Sequence, residues 1–369
     1  MSGLVLGSAV LAGPAGAAEP LPEALSRRIA ALMAASDVPG LGFGQIRGGK
    51  PISAAAFGFA DRGRRLPATP DTAFLISSIS KVVTGTALMQ LRDRRLFALD
   101  DPVGPHLDFP AENPRHPGPI TFRQVLTHTS SISDGGYEGF GVDGDPKIPL
   151  RDFLTGYLSP GGRWFSPGKS YLDAGPGQQW SYSNVAFALA GYLAERIGGG
   201  SLKRQSARNI FGPLRMAPAA WSLADLGGAP RATPYVGQNG KLTPRAPIGY
   251  PDWPAGLLRT SPRALTRFLA AHAAGGSLEG ATVLRTDTVA EMADLKPFPD
   301  ADGHTHFQGL SWEGGEKGKV VWKSGGDPGS HTLMAFDPAT GNGAVVLTNR
   351  SPNKALQNDM QELIREAMA

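Results

Sequence analysis

The stretch Phe74-Leu75-Ile76-Ser77-Ser78-Ile79-Ser80-Lys81-Val82-Val83 constrains this chain most, because it leads an apolar approach through a serine cluster into a mostly apolar helical pattern that runs to about Leu96. Lys81 follows Ser78 at i+3, the spacing that puts two side chains on one face of a helix. A helix that starts near Ser78 therefore brings an amine to a hydroxyl. Serine is a weak nucleophile at its free pKa, and a lysine activates it only when burial or neighbouring cations lower the amine's own pKa. Backbone N–H groups at the same helix start can hold a developing oxyanion. Ser166/Lys169 and Ser351/Lys354 repeat the Ser-x-x-Lys spacing, but Pro167 and Pro352 directly follow their serines and neither serine opens a long apolar helix.

Around this stretch the pattern changes twice. A helix is expected over 21–35, with Leu25, Ile29, Leu32 and Met33 on its apolar side, then strands over 41–46 and 52–59 joined by the turn Arg47-Gly48-Gly49-Lys50. From Pro102 to Gly249 short helical pieces alternate with Pro/Gly loops, including a capped helix within 120–129 and a buried one over 184–197. Helices over 261–274 and 286–295 follow, then strands over 320–323, 331–336 and 343–349, and a closing helix over 353–369. Strands near both ends with helices between predict an α/β (α+β) chain: an antiparallel sheet flanked by helices, built from 19–101 and 250–369, with an inserted helical lobe over 102–249.

Composition narrows the function classes. The 369 residues show no internal repeat and suffice for a full core, and 41% hydrophobic against 18% charged residues excludes a disordered chain. The net charge of +4 is scattered without a basic stripe, which argues against a nucleic-acid partner. The absence of cysteine excludes thiolate catalysis, disulfides and cysteine metal sites. His304-Thr305-His306 reads as a surface strand, since no third ligand is suggested, so no metal is expected. There is no Gly-x-Ser-x-Gly elbow, and Arg163 stands where a phosphate loop ending at Gly168-Lys169-Ser170 needs its first glycine. Residues 1–18 carry an apolar run over 4–11 and a cleavage-like Ala15-Gly16-Ala17 without a basic start; they read as a signal for a periplasmic or secreted protein, or as a flexible lead on a cytoplasmic one. No run reaches the ~18 apolar residues of a membrane span.

Two further motifs complete the first. Tyr182-Ser183-Asn184 is the only Tyr-x-Asn in the chain, and Lys323-Ser324-Gly325 the only Lys-[Ser/Thr]-Gly. With this ordered triple the chain resembles the serine β-lactamase and penicillin-binding-protein superfamily, most closely its class C β-lactamase, D-peptidase and family VIII esterase branch, from about Leu25 to the C-terminus. Pro70-Asp71-Thr72-Ala73-Phe74, Leu99-Asp100-Asp101-Pro102, Leu126-Thr127-His128-Thr129-Ser130, Pro254-Ala255-Gly256-Leu257 and Gly325-Gly326-Asp327-Pro328-Gly329 look like further landmarks of that branch.

The resemblance implies an acyl-enzyme hydrolase without cofactor, acting on a small-molecule ester, amide, β-lactam or D-amino-acid peptide. Ser78 would be the acylated nucleophile and Lys81 would share or relay its proton. Tyr182 would be base for attack and acid towards the leaving group, with Lys81 and Lys323 holding its proton loosely. Asn184 would orient the substrate amide and the Lys81 amine, Ser78 and Gly326 N–H groups would form the oxyanion hole, and the strand at Ser324 and Gly325 would align the substrate. Whether Lys81 or Tyr182 takes the first proton stays open. Many esterases and D-peptidases of the branch have His where Lys323 stands; the lysine tilts the reading towards a carboxylate-bearing substrate. No glutamate setting like the deacylating one of class A enzymes is seen. The same acyl-enzyme would serve an acyltransferase, and a catalytically silent binder of β-lactams or peptidoglycan fragments would keep the same motifs. Trp180 and Trp322 flank two motifs, as cleft walls or as core; His128 is expected to hydrogen-bond within its loop, and His331 to stand near the site mouth or apart from it.

Overall fold

The computed structural model describes residues 21–238, 241–315 and 318–369; the signal-like segment over 1–18 lies outside the described residues. Helix α1 (Glu23–Ala35) buries Leu25, Ile29 and Leu32. Strands β1 (Gly40–Arg47) and β2 (Lys50–Asp61) form the expected hairpin. Gly48 and Gly49 both have positive φ, +52° and +72°, which a two-residue turn needs if its twist is to match that of its strands. Strand β3 (Leu66–Pro67) adds a short edge to β2.

Helix α2 (Ser80–Asp93) stops short of Leu96. Arg95 turns left-handed at φ +60°, and the Leu96 N–H reaches back to Leu91 O at 3.2 Å, a closure that satisfies carbonyls the helix end would otherwise orphan. Helix α3 (Phe122–Leu126) begins with a Thr121/Gln124 capping box, and α4 (Asn184–Gly198) is almost wholly buried. Helices α5 (Pro262–Ala273), stopped by Gly275 and Gly276, and α6 (Thr286–Ala293) follow. Next come β4 (Lys296–Pro299), β5 (Thr305–Gln308) and β6 (Glu313–Gly314); the strand read at His304-Thr305-His306 lies largely in β5, while periodicity did not announce β4 or β6. Strands β7 (Val321–Asp327), β8 (Ser330–Phe336) and β9 (Gly343–Thr348) and helix α7 (Lys354–Met368) close the chain.

These strands make one antiparallel sheet in the order β4-β5-β6-β7-β8-β9-β1-β2-β3, so strands from the two ends of the chain meet at the β9–β1 pair. Alternation sorts its side chains. Leu41, Phe43, Leu333, Ala335, Ala344 and Val346 face α1 and α7, while Met334, Phe336, Val345 and Leu347 join the main core with Leu265, Phe268 and Leu269 of α5. On β1 the second face carries glycine. A Cβ on Gly42 would fall 2.3 Å from Pro262 Cγ and one on Gly44 1.7 Å from Thr266 Oγ1, so these glycines are what lets α5 lie on the sheet. No helix among the described residues is long and apolar enough to cross a membrane.

Candidate active site

The approach to Ser78 is pinned from outside. Leu75 pairs with Arg259, and the Ile76 N–H donates to Leu258 O at 3.0 Å. Ser77 is then forced to φ +49°, and Ser77–Ile79 form a tight 3-10 turn ahead of α2. The helix thus starts at Ser80, later than the expected start near Ser78, yet the i+3 approach survives in the tighter turn. Strand β7 lies directly against this turn. A Cβ on Gly325 would be 2.5 Å from Ile76 O and 2.8 Å from Ser77 Cβ, which explains a glycine after Lys323-Ser324.

Ser78 Oγ sits 3.1 Å from Lys81 Nζ and 2.7 Å from Tyr182 Oη. Lys81 is fully buried, and its Nζ also reaches Asn184 Oδ1 at 2.7 Å and Ala255 O at 2.9 Å. Burial, and then the charge of Lys323, lower its pKa to about 7. A neutral amine has two N–H bonds and one lone pair. Asn184 Oδ1 and Ala255 O take the two N–H groups, which leaves the third direction on Ser78 Oγ. The segment 254–258 forms a collar round this amine: Thr84 Oγ1 donates to Pro254 O at 2.7 Å, and Ser80 Oγ accepts from the Leu258 N–H at 3.1 Å.

Tyr182 and Asn184 are held by the start of α4. Ser183 caps the helix by accepting the Ala186 N–H at 3.0 Å. The Asp134 carboxylate accepts the Ser183 hydroxyl at 2.8 Å and the N–H groups of Asn184 and Val185 at 2.7 and 3.1 Å, a negative charge at the positive end of the helix. His128 is not tied within its own loop as expected. Its φ of +58° turns the ring under Tyr182, centroid to centroid 4.4 Å, and its Nδ1 accepts the Ser183 N–H at 3.1 Å. Burial, then Lys323 and Lys81, hold His128 well below the usual imidazole range, so the ring is neutral.

The surroundings of the phenol also differ from expectation. Burial pushes the Tyr182 pKa well above its usual value; the bond to Ser78 opposes this, and the charges of Glu313, Asp134 and Asp327 add to it. Tyr182 is therefore a firmly protonated donor, not a loosened one. Lys323 is the reason the cationic help is weak. It is fully buried, with Nζ 4.8 Å from the Tyr182 ring centroid, and it pairs with the carboxylate of Glu313, which β6 sets opposite Trp322 of β7. The lysine does not stand open to a substrate carboxylate.

These groups border a cleft of about 810 Å³ lined by Ser78, Trp180, Tyr182, His306, Glu313, Trp322, Ser324 and Gly326 among others. Both tryptophans line it. Trp180 stacks face to face on His306 at 3.7 Å, and Asp300 holds the other side of that imidazole at 2.8 Å. The register of β5 turns His306 from an expected surface residue into a wall of the cleft. Asp300 and Asp302 gather near His304, but Asp300 already accepts the N–H groups of Asp302 and His304 and so caps its own turn. His331, opposite Gly326, is buried and not part of the cleft lining. Lys169 and Lys354, the lysines of the two discounted Ser-x-x-Lys matches, are exposed. Asp134, His128, His306 and Glu313 were not singled out as site groups in the sequence; only His128 stood in a landmark motif.

An antiparallel sheet flanked by helices, with a Ser-x-x-Lys turn, a Tyr-x-Asn helix start and a Lys-Ser-Gly strand meeting at one cleft, defines the β-lactamase and penicillin-binding-protein-like class. The chain belongs to the Beta-lactamase family, whose sequence model matches residues 25–369. It is 27% identical over 48% of its length to the putative penicillin-binding protein PbpX of Bacillus subtilis, of which the match spans 40%. It is 24% identical over 82% of its length to the D-alanyl-D-alanine-carboxypeptidase/endopeptidase AmpH of Escherichia coli, of which the match spans 77%. Among solved structures, EstCE1, a hydrolase with promiscuous acyltransferase activity, superposes with a TM-score of 0.74 at 19% identity, covering 94% of this chain and 98% of that one. Class C β-lactamases are also structural neighbours.

Proposed function

We propose that the chain is a serine hydrolase that opens an ester or amide bond through an acyl-enzyme on Ser78. The observation that carries this reading is the placement of one hydroxyl between a buried amine with a pKa of about 7 and a protonated phenol, at the edge of a cleft. Ser78 Oγ attacks the substrate carbonyl and gives its proton to Lys81 Nζ, while the N–H groups of Ser78 and Gly326 take the oxyanion. As the tetrahedral intermediate collapses, Tyr182 gives its proton to the leaving oxygen or nitrogen and takes in its place the proton that Lys81 had accepted from Ser78. Water then replaces the leaving group and the same steps run in reverse, releasing the acid. Asn184 holds the amine in line throughout, and Ser324 borders the bound substrate. In this reading Lys81, not Tyr182, takes the first proton.

Intact-mass measurement after treatment with a fluorophosphonate, an uncharged mimic of the acyl donor, tests Ser78 as the nucleophile. A single adduct on wild-type protein that disappears in Ser78→Ala is expected. No adduct, or equal labelling of Ser78→Ala, would overturn the reading and leave a silent binder. A chromogenic cephalosporin, short-chain nitrophenyl esters and a D-alanyl peptide then rank the substrates, and added alcohol separates hydrolysis from acyl transfer.

A further inference from the structure

Lys323, the lysine of the Lys-Ser-Gly strand beside the phenol, is already occupied. Lys323 Nζ points beneath the Tyr182 ring and meets the Glu313 carboxylate, and neither the lysine nor its charge opens on the cleft. What does border the cleft is the other member of the pair, since Glu313 is among its lining residues and Lys323 is not. On the proposed mechanism the leaving group departs towards Tyr182, and Glu313, which lines the same cleft and is the foremost charge acting on that phenol, stands near its path. A leaving group with its own carboxylate would face a like charge there, and could reach Lys323 only by separating a buried ion pair.

We propose that Glu313 is a specificity-determining residue that turns away acyl donors whose leaving group carries a carboxylate and admits those whose leaving group is uncharged. This rests on the reading of Tyr182 as the acid for the leaving group, and it reverses the substrate tilt that Lys323 suggests in the sequence. β-Lactams and D-alanyl peptides carry a carboxylate on the departing side; esters of uncharged alcohols and phenols do not. The substrate class is therefore the uncharged ester. The aromatic wall of Trp180, His306 and Trp322 suits a flat, neutral group on either side of the scissile bond. Among the described residues, the other charges near the phenol do not restore an anion site. Asp134 and Asp327 add negative charge, Asp252 accepts from Tyr137, and the buried Arg259, which is not among the cleft lining, donates to Leu257 O and Ile248 O.

A matched pair, phenyl phenylacetate and 3-carboxyphenyl phenylacetate, separates the charge from everything else. Binding is measured on Ser78→Ala, which keeps the cleft and removes the nucleophile, by the fluorescence change of the cleft tryptophans. The uncharged ester is expected to bind at least about tenfold more tightly, and Glu313→Gln in the same background is expected to close most of that gap. Equal or tighter binding of the carboxylate ester to Ser78→Ala would overturn the proposal, as would a gap that persists unchanged in folded Ser78→Ala/Glu313→Gln. Should the double variant not fold, the gap in Ser78→Ala decides alone. Turnover by the wild type tests the hydrolase reading separately: loss of all turnover of both esters sinks that reading, while the binding preference still stands or falls on its own.

Discussion

Two lysines approach the same ring from different elements and meet opposite fates. Lys81 of α2 and Lys323 of β7 each hold Nζ 4.8 Å from the Tyr182 centroid, and each is fully buried. Around Lys81 the nearest partners are neutral: an amide oxygen, a backbone carbonyl and a hydroxyl. Beside Lys323 stands a carboxylate. Burial with no carboxylate in hydrogen-bond reach disfavours the Lys81 ammonium and leaves a usable base, although Asp252, Asp134 and Asp327 pull the other way, whereas Lys323 spends its amine on a carboxylate directly. The difference teaches that the partner, not depth alone, decides what a buried amine can do.

The sharpest way to break this comparison is to remove the base. Lys81→Met preserves length and lacks the amine, and acylation of Ser78 is expected to slow on the order of 10⁴-fold in single-turnover kinetics. Lys81→Arg should fare no better, because a guanidinium stays charged. If Lys81→Arg kept substantial acylation, the neutral-amine assignment would be wrong. Next in size is Tyr182→Phe, expected to reduce kcat/KM roughly 10²- to 10³-fold for an ester of a poorly leaving alcohol and much less for a nitrophenyl ester. A uniform loss across leaving groups would mean that the phenol serves attack and not departure.

The counter-charge can be removed as well. Glu313→Gln leaves Lys323 buried and uncompensated, which is expected to cost about 3 kcal/mol in urea unfolding, while Glu313→Gln with Lys323→Met is expected to recover most of it. Failure of the double variant to recover would show that the two side chains matter for packing and not as a pair.

Glu313 also marks where sequence reading ends. Ser78, Lys81, Tyr182, Asn184 and Lys323 were legible because each sits in a local motif whose spacing states its geometry. Glu313 is set by a two-residue strand, too short for any period, and reaches Lys323 only through the register of β6 on β7. Strand β4 was hidden for a related reason: Pro297 and Pro299 argue against a strand, and are tolerated because β4 is the outermost of its sheet. His128 and Asp134 act through a left-handed residue and a helix start, contacts between segments far apart in the chain. The fold class and the hairpin at Gly48-Gly49 needed only periodicity and turn chemistry. The charge balance of the site needed the sheet.

The smallest effect probes how far the two lysines feel each other. With neutral Lys81 as base, kcat/KM is expected to be lost as pH falls below about 7 and to level off above it, because protonation of the amine removes the acceptor. Burial is the larger cause of that position and the charge of Lys323 the second. Lys323→Met deletes the second cause and leaves the first, so the Lys81 ammonium becomes easier to form and the acid limb moves to higher pH, by about one unit. The variant should then lose more activity at pH 6.5 than at pH 8.5, relative to wild type. A limb that stays in place would mean that Glu313 already cancels the Lys323 charge as Lys81 senses it, and that burial alone makes the base.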